Sequence, residues 1–193
     1  MNYEKVLQFW FAPDSSTSEE ERFSYRPQWF VKSNHFDNEV REQFLELWQQ
    51  AKDGSLKSWE ETPEGVLALI ILLDQMPRKM FRDQPASFET DGKALHLAKQ
   101  AILKEHDMNL HPVQRWFMYL PFEHSESIRD QEISVELFSE LQTLMPDSQV
   151  LDYAERHRKI IARFGRFPHR NKILQRKSTP EETEFLKQPG SGF

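Results

Sequence analysis

Eight apolar residues in a row, Val66-Leu67-Ala68-Leu69-Ile70-Ile71-Leu72-Leu73, constrain this chain more than any other stretch. Thr62 and Pro63 stand just before them as an N-cap and a first helical residue, so the run reads as a helix that is apolar on every side. Such a helix has to be surrounded. A buried strand is the alternative for so short a run, but the Thr-Pro start and the lack of a second strand-like run argue against it. The rest of the chain supplies amphipathic partners. Apolar stripes at three-four spacing predict helices over 3–11, over 38–52 with Asp37 as cap and Gly54 as stop, and over 91–104 with Thr90 as cap. A further helix begins at Pro112 and is broken or kinked at Pro121, another covers 128–144, and one over 147–164 stops at Gly165. Thr179, Pro180 and Glu182 form a capping box for a last short helix to about residue 187. The expectation is an all-α chain of packed helices, a single domain over residues 1–193, with 187–193 flexible by composition although Phe193 is able to dock.

Fifteen Phe and five Trp against six Gly support packed helices over glycine-rich strand turns. The net charge of −6 disfavours nucleic acid and anionic membranes as partners of the whole chain. The absence of cysteine excludes disulfides, thiolate metal sites and cysteine nucleophiles. The apolar run of 66–73 is far short of the ~20 residues a membrane span needs. Residues 1–11 lack the basic start and apolar core of a secretory signal, so a cytoplasmic protein is expected. Residues 15–21, after Pro13 and Asp14, read as a solvated loop or a helix start, and Tyr25 to Phe30 as an ordered, irregular connection around Pro27. There is no glycine-rich phosphate loop, G-x-S-x-G elbow or H-E-x-x-H, and no metal or cofactor is expected.

Three stretches carry chemistry. Phe164-Gly165-Arg166-Phe167-Pro168-His169-Arg170-Asn171 alternates aromatics with cations around a helix stop and a stiff turn. From Arg156 to Arg176 there are eight Lys and Arg and no acid. Two readings stand side by side: Phe164 and Phe167 are core anchors whose arginines pair with distant carboxylates, or Arg166, His169, Arg170 and Asn171 converge on an anion. Glu123-His124-Ser125-Glu126 is the second stretch. These carboxylates either serve acid–base or metal chemistry with His124 or neutralise arginines of the Arg166 turn. Asp74, Gln75, Pro77, Arg78, Lys79 and Arg82 follow the apolar run as the third, a charged helix terminus or a binding site. His106 and His111 flank a loop with no metal spacing and read as surface histidines.

These motifs, Leu72 to Arg82, Tyr119 to Glu126, and the octet with His157 upstream and Arg176 to Thr179 downstream, together resemble a mainly bacterial domain-of-unknown-function family, number 924. Met76, Gly92 and Gln175 stand where that family usually has Phe, Pro and Gly. The resemblance implies a tetratricopeptide-like, right-handed array of antiparallel helix pairs, and it implies no reaction or cofactor.

The first functional expectation is a soluble helical protein binding an anionic small molecule or acidic peptide in a pocket of Asp74, Arg78, Glu123, His124, His157, Arg166, His169, Arg170 and Asn171. The second is a hydrolase-type enzyme using His169 or His124 with Glu123. The third is a protein-interaction module whose charged motifs are structural. RNA binding through the basic segment ranks below these.

Overall fold

The computed structural model describes residues 3–11, 18, 21 and 23–192, and among them every regular element is helical. The helices are α1 (Glu4–Phe11), α2 (Asn34–Asp53), α3 (Pro63–Ile70), α4 (Met76–Met80), α5 (Asp91–Leu103), α6 (Pro112–Glu123), α7 (Ile128–Leu144), α8 (Val150–Phe164) and α9 (Pro180–Phe185). The expectations for Pro13, Asp14, Phe193 and most of 15–21 lie outside the described residues.

Thr62 caps α3 as its sequence indicates, its hydroxyl accepting from the Gly65 N–H at 3.1 Å. Gly65 is there because the helix enters against the Lys57–Glu61 turn. A Cβ at this position would stand 2.2 Å from the Trp59 carbonyl oxygen. Leu67, Ala68, Ile70, Ile71, Leu72 and Leu73 are all completely buried, enclosed by α1, α5 and α6. Each large aliphatic side chain in that set contributes roughly 1.5–3 kcal/mol by leaving water.

The run does not stay α-helical to its end. Residues Ile71–Gln75 form a π turn, with the Met76 N–H reaching the Ile71 carbonyl five residues back, before α4 resumes. Pro77 has no N–H to offer the carbonyl one turn earlier, and the Thr90 hydroxyl donates to the Leu73 carbonyl instead. The expected cap of α5 by Thr90 does not form. Its side chain makes no cap bond, because it is engaged with Leu73 and accepts from Trp48 Nε1 at 3.4 Å.

Other helix ends follow their local signals. Gly54 and Gly165 adopt left-handed conformations at φ 91° and 68°, ending α2 and α8. The α9 capping box forms in both directions between Thr179 and Glu182. A second cap expectation is corrected. The cap of α2 is Ser33, four residues before Asp37, whose carboxylate is taken by Arg82 in a two-pronged pair at 2.8 and 2.9 Å. Pro121 does not break α6, which runs on to Glu123 because residues 117–123 are all buried and hold the last turn in place. His111 is exposed as expected and also caps α6, its Nδ1 accepting from Val113.

Helices α6, α7 and α8 follow one another across short connections at 124–127 and 145–149, each packing on the next. Short loops between packed helices make antiparallel neighbours, the pairing a tetratricopeptide-like array uses. A second, small apolar cluster of Ile160, Ile161 and Phe167, flanked by Phe164 and Phe185, seats the turn after α8. Of the two expected aromatic anchors, Phe167 is fully buried and Phe164 half-buried. No helix among the described residues is long and apolar enough to cross a membrane.

Candidate functional site

The π turn projects Asp74 into the interior, where it is completely buried. Its carboxylate takes the Nδ1 of His124 at 2.7 and 3.0 Å, the Gln75 amide at 2.5 Å and the Arg78 guanidinium at 3.4 Å. Burial alone would push its pKa up. Arg78, His124 and the hydrogen bonds from His124 and Gln75 outweigh that and hold it well below the usual carboxylate range. Asp74 is therefore an acceptor on both oxygens, so Nδ1 of His124 carries the proton. His124 caps the C-terminus of α6. Its pKa is lowered by burial and then by Arg78, with Asp74 opposing, so the ring is neutral at pH 7.

Arg78 also grips Asp91, the first residue of α5, with two bonds of 2.9 Å. Asp91 is thereby occupied, and it meets Arg170 only at 3.5 Å. Arg170 sits on the 3-10 turn Pro168–Arg170, 7% exposed, with its guanidinium 4.7 Å from the Phe88 ring and 4.5 Å from the Phe167 ring. Its Nε is buried without a partner, and the guanidinium donates no hydrogen bond to any described residue. Burial, then the neighbouring Arg78 charge, lowers its pKa to about 10, against the pull of Asp91, Glu126 and Asp74.

Behind this pair lie three neutral groups. Glu123, the last residue of α6, is pushed up to about 8 by burial and then by the Asp74 charge. It faces His157 Nδ1 at 3.3 Å, and that nitrogen donates to the Tyr153 carbonyl at 2.8 Å. Burial takes His157 down to about 3, and burial with Arg170 takes His169 down to about 4. At pH 7 the cluster thus holds ionised Asp74, two guanidiniums and neutral Glu123, His124, His157 and His169.

Seven of the nine expected pocket residues come together here: Asp74, Arg78, Glu123, His124, His157, His169 and Arg170. Arg166 and Asn171 do not. They belong to a clamp in which Arg166 pairs with Glu182 at 2.6 and 2.8 Å, and Asn171 donates to Ser178 and Glu182. Arg176 joins Glu126 at 2.7 and 3.0 Å and also bonds the Asn171 side chain and the Phe167 carbonyl. Glu126 takes the Phe167 N–H at 2.8 Å. The two acids of the 123–126 stretch therefore divide. Glu126 neutralises an arginine beyond the octet, while Glu123 meets no arginine among the described residues.

Sequence reasoning missed Asp91, Phe88 and Glu126's partner Arg176. An acid at a helix start and a phenylalanine on a short turn carry no signal of their own until the fold brings Arg78 and Arg170 to them. Two open grooves of about 550 and 340 Å³ run along α2, and neither is lined by a residue of the charged cluster. Among the described residues no group of three or more His, Asp or Glu is placed to hold a metal ion.

A family model described as "Bacterial protein of unknown function (DUF924)" matches residues 6–190. The solved structure of a protein of unknown function from Agrobacterium tumefaciens is similar to the chain, with a TM-score of 0.85, 36% sequence identity and 97% of each chain covered. None of the curated proteins compared with the chain matches it.

Proposed function

The chain belongs to this bacterial family of unknown function, and we propose that it binds a small anionic molecule through Arg170, with Arg78, His124 and His169 around it. The observation that carries this reading is the buried Arg170 guanidinium, held between two aromatic rings and donating no hydrogen bond to any described residue. Its Nε–H is sealed from water without an acceptor, and leaving such a donor unpaired is costly. The two rings pack against the guanidinium carbon and offer no hydrogen-bond acceptor in the plane of a carboxylate, which leaves its N–H groups for a ligand. A carboxylate or phosphate oxygen pair matches those groups. Asp91 serves it weakly, because Arg78 holds that carboxylate at 2.9 Å and leaves its nearer oxygen 3.5 Å from Arg170.

The recessed position of Arg170 favours a small molecule over the side chains of an acidic peptide, and with no cysteine in the chain we place its action in the cytoplasm. A thermal-shift panel of phosphate, phosphorylated metabolites and carboxylates tests the reading. A ligand at about a hundred times its Kd stabilises by roughly 2.7 kcal/mol, and Arg170→Met is expected to erase that gain. Stabilisation that survives Arg170→Met would place the anion elsewhere.

A further inference from the structure

We infer that Asp74 and His124 form a proton-transfer dyad acting on the molecule that Arg170 holds, which makes the anion site catalytic. The inference rests on the anion-binding reading and adds a reaction to it.

Asp74 is fully buried and engaged on both oxygens, so it fixes the ring of His124 and its tautomer together. With the proton on Nδ1, the Nε2 lone pair is left as a base. Nε2 has no hydrogen bond to any described residue, while the side chain retains 14% exposure at the rim of the cluster. The dyad and the anion anchor are physically continuous: Arg78 touches Asp74 at 3.4 Å and Asp91 at 2.9 Å, and Asp91 touches Arg170 at 3.5 Å. The carboxylate also sits on a π turn, an irregularity frequent at functional sites. Among the described residues no hydroxyl is hydrogen-bonded to His124, and the chain has no cysteine, so the dyad has no hydroxyl or thiol to activate and suits proton transfer at Nε2.

In the step, an O–H or C–H bond of the anionic substrate breaks and its electron pair stays on the substrate. The proton forms an N–H bond at Nε2, and Asp74 offsets the positive charge that appears on the ring. The imidazolium then returns its proton to the product, so no oxidant, reductant or second substrate is needed. Arg170 holds the anionic group, and the reacting bond lies on the part of the substrate that faces His124.

The test follows His124 directly. In ¹⁵N-labelled protein at pH 7, long-range ¹H–¹⁵N correlations are expected to show the proton on Nδ1 and a bare Nε2. Diethylpyrocarbonate should modify Nε2, and exposed His35 and His96 serve as internal references. Inorganic phosphate at about ten times its Kd should slow modification of His124 by about tenfold and leave the references alone. Arg170→Met should remove that protection. Asp74→Asn should shift the proton to Nε2 and lower the modification rate by about tenfold or more.

A proton found on Nε2 in the parent protein overturns the dyad whether or not phosphate binds. Phosphate binding that depends on Arg170 but leaves His124 unprotected preserves the anion site and overturns its catalytic role. A bare Nε2 with no phosphate binding removes the anion site, and the inference with it. Tautomer and protection are both read in the parent protein, so the outcome does not depend on Asp74→Asn folding.

Discussion

Replacing Glu123 by Gln keeps the shape of a buried side chain and removes its ability to ionise. Glu123 is 5% exposed and its carboxyl is raised to about 8, first by burial and then by the Asp74 charge. In the unfolded chain the same group titrates near 4.5. Between those two values the native state holds a proton that the unfolded state has released, so stability contributed by the group is full at low pH and is lost as pH rises to about 8. A shift of this size corresponds to roughly 4–5 kcal/mol across the window. For a domain of this length that is on the order of 10 °C in Tm. Glu123→Gln carries no such dependence. Its amide adds a donor beside His157 that lacks an obvious acceptor, which costs about 1 kcal/mol at pH 5. The expected outcome is a variant slightly less stable than the parent at pH 5 and several kcal/mol more stable at pH 8.5. Urea unfolding at pH 5, 7 and 8.5 measures it, and parallel stability–pH curves for the two proteins would refute the assignment of a neutral buried acid.

His157 and His169 act with the opposite sign: their folded values of about 3 and 4 lie below the ordinary 6.5, so stability is present above 6.5 and declines as pH falls toward 4. Glu123→Gln should steepen this acid loss, since Glu123 opposes it in the parent, and acid-limb unfolding curves read the slope. Thr90→Val leaves the Leu73 carbonyl without its donor and should cost about 1–3 kcal/mol in chemical denaturation. Gly65→Ala drives a methyl into the Trp59 carbonyl and should cost more than about 2 kcal/mol, with Gly92→Ala, which meets nothing within 4 Å, as the harmless control. Gln175→Gly should stabilise by up to about 1 kcal/mol, because Gln175 holds φ 55°, a left-handed conformation that Gly adopts without strain.

The family resemblance marks Gln175 as standing where a Gly is usual, and the backbone explains why. Elements with strong local grammar were legible in the same way: the Thr62-Pro63 start, the glycine stops at 54 and 165, and the Thr179 capping box each depend on residues a few positions apart. Thr90 and Asp37 misled for one reason. Each has the side chain of a cap, and each is claimed by a distant partner, Leu73 or Arg82, that only packing brings near. The candidate site was legible as residue types and not as a partition. Arg166, Arg170 and Asn171 are neighbours in sequence, yet the 3-10 turn after Pro168 sends Arg170 toward Asp91 while Arg166 and Asn171 face Glu182. Glu123 and Glu126 separate likewise, because α6 ends between them. The π turn has no sequence signature short of Pro77, and it is what turns Asp74 inward.

The central claim is that Arg170 is held for an anion and not for the fold, and isothermal titration of phosphate and of a small carboxylate into the parent protein and Arg170→Met, with both melting curves recorded, tests it most directly. Losing Arg170 leaves no carboxylate unpaired, since Asp91 keeps its two bonds from Arg78, and a methionine removes a buried donor that has no acceptor. Arg170→Met is expected to melt at or above the parent temperature and to bind neither ligand, while the parent binds at least one. Equal binding by the two proteins, or a variant that has lost several kcal/mol of stability beside a parent that binds neither anion, would contradict it.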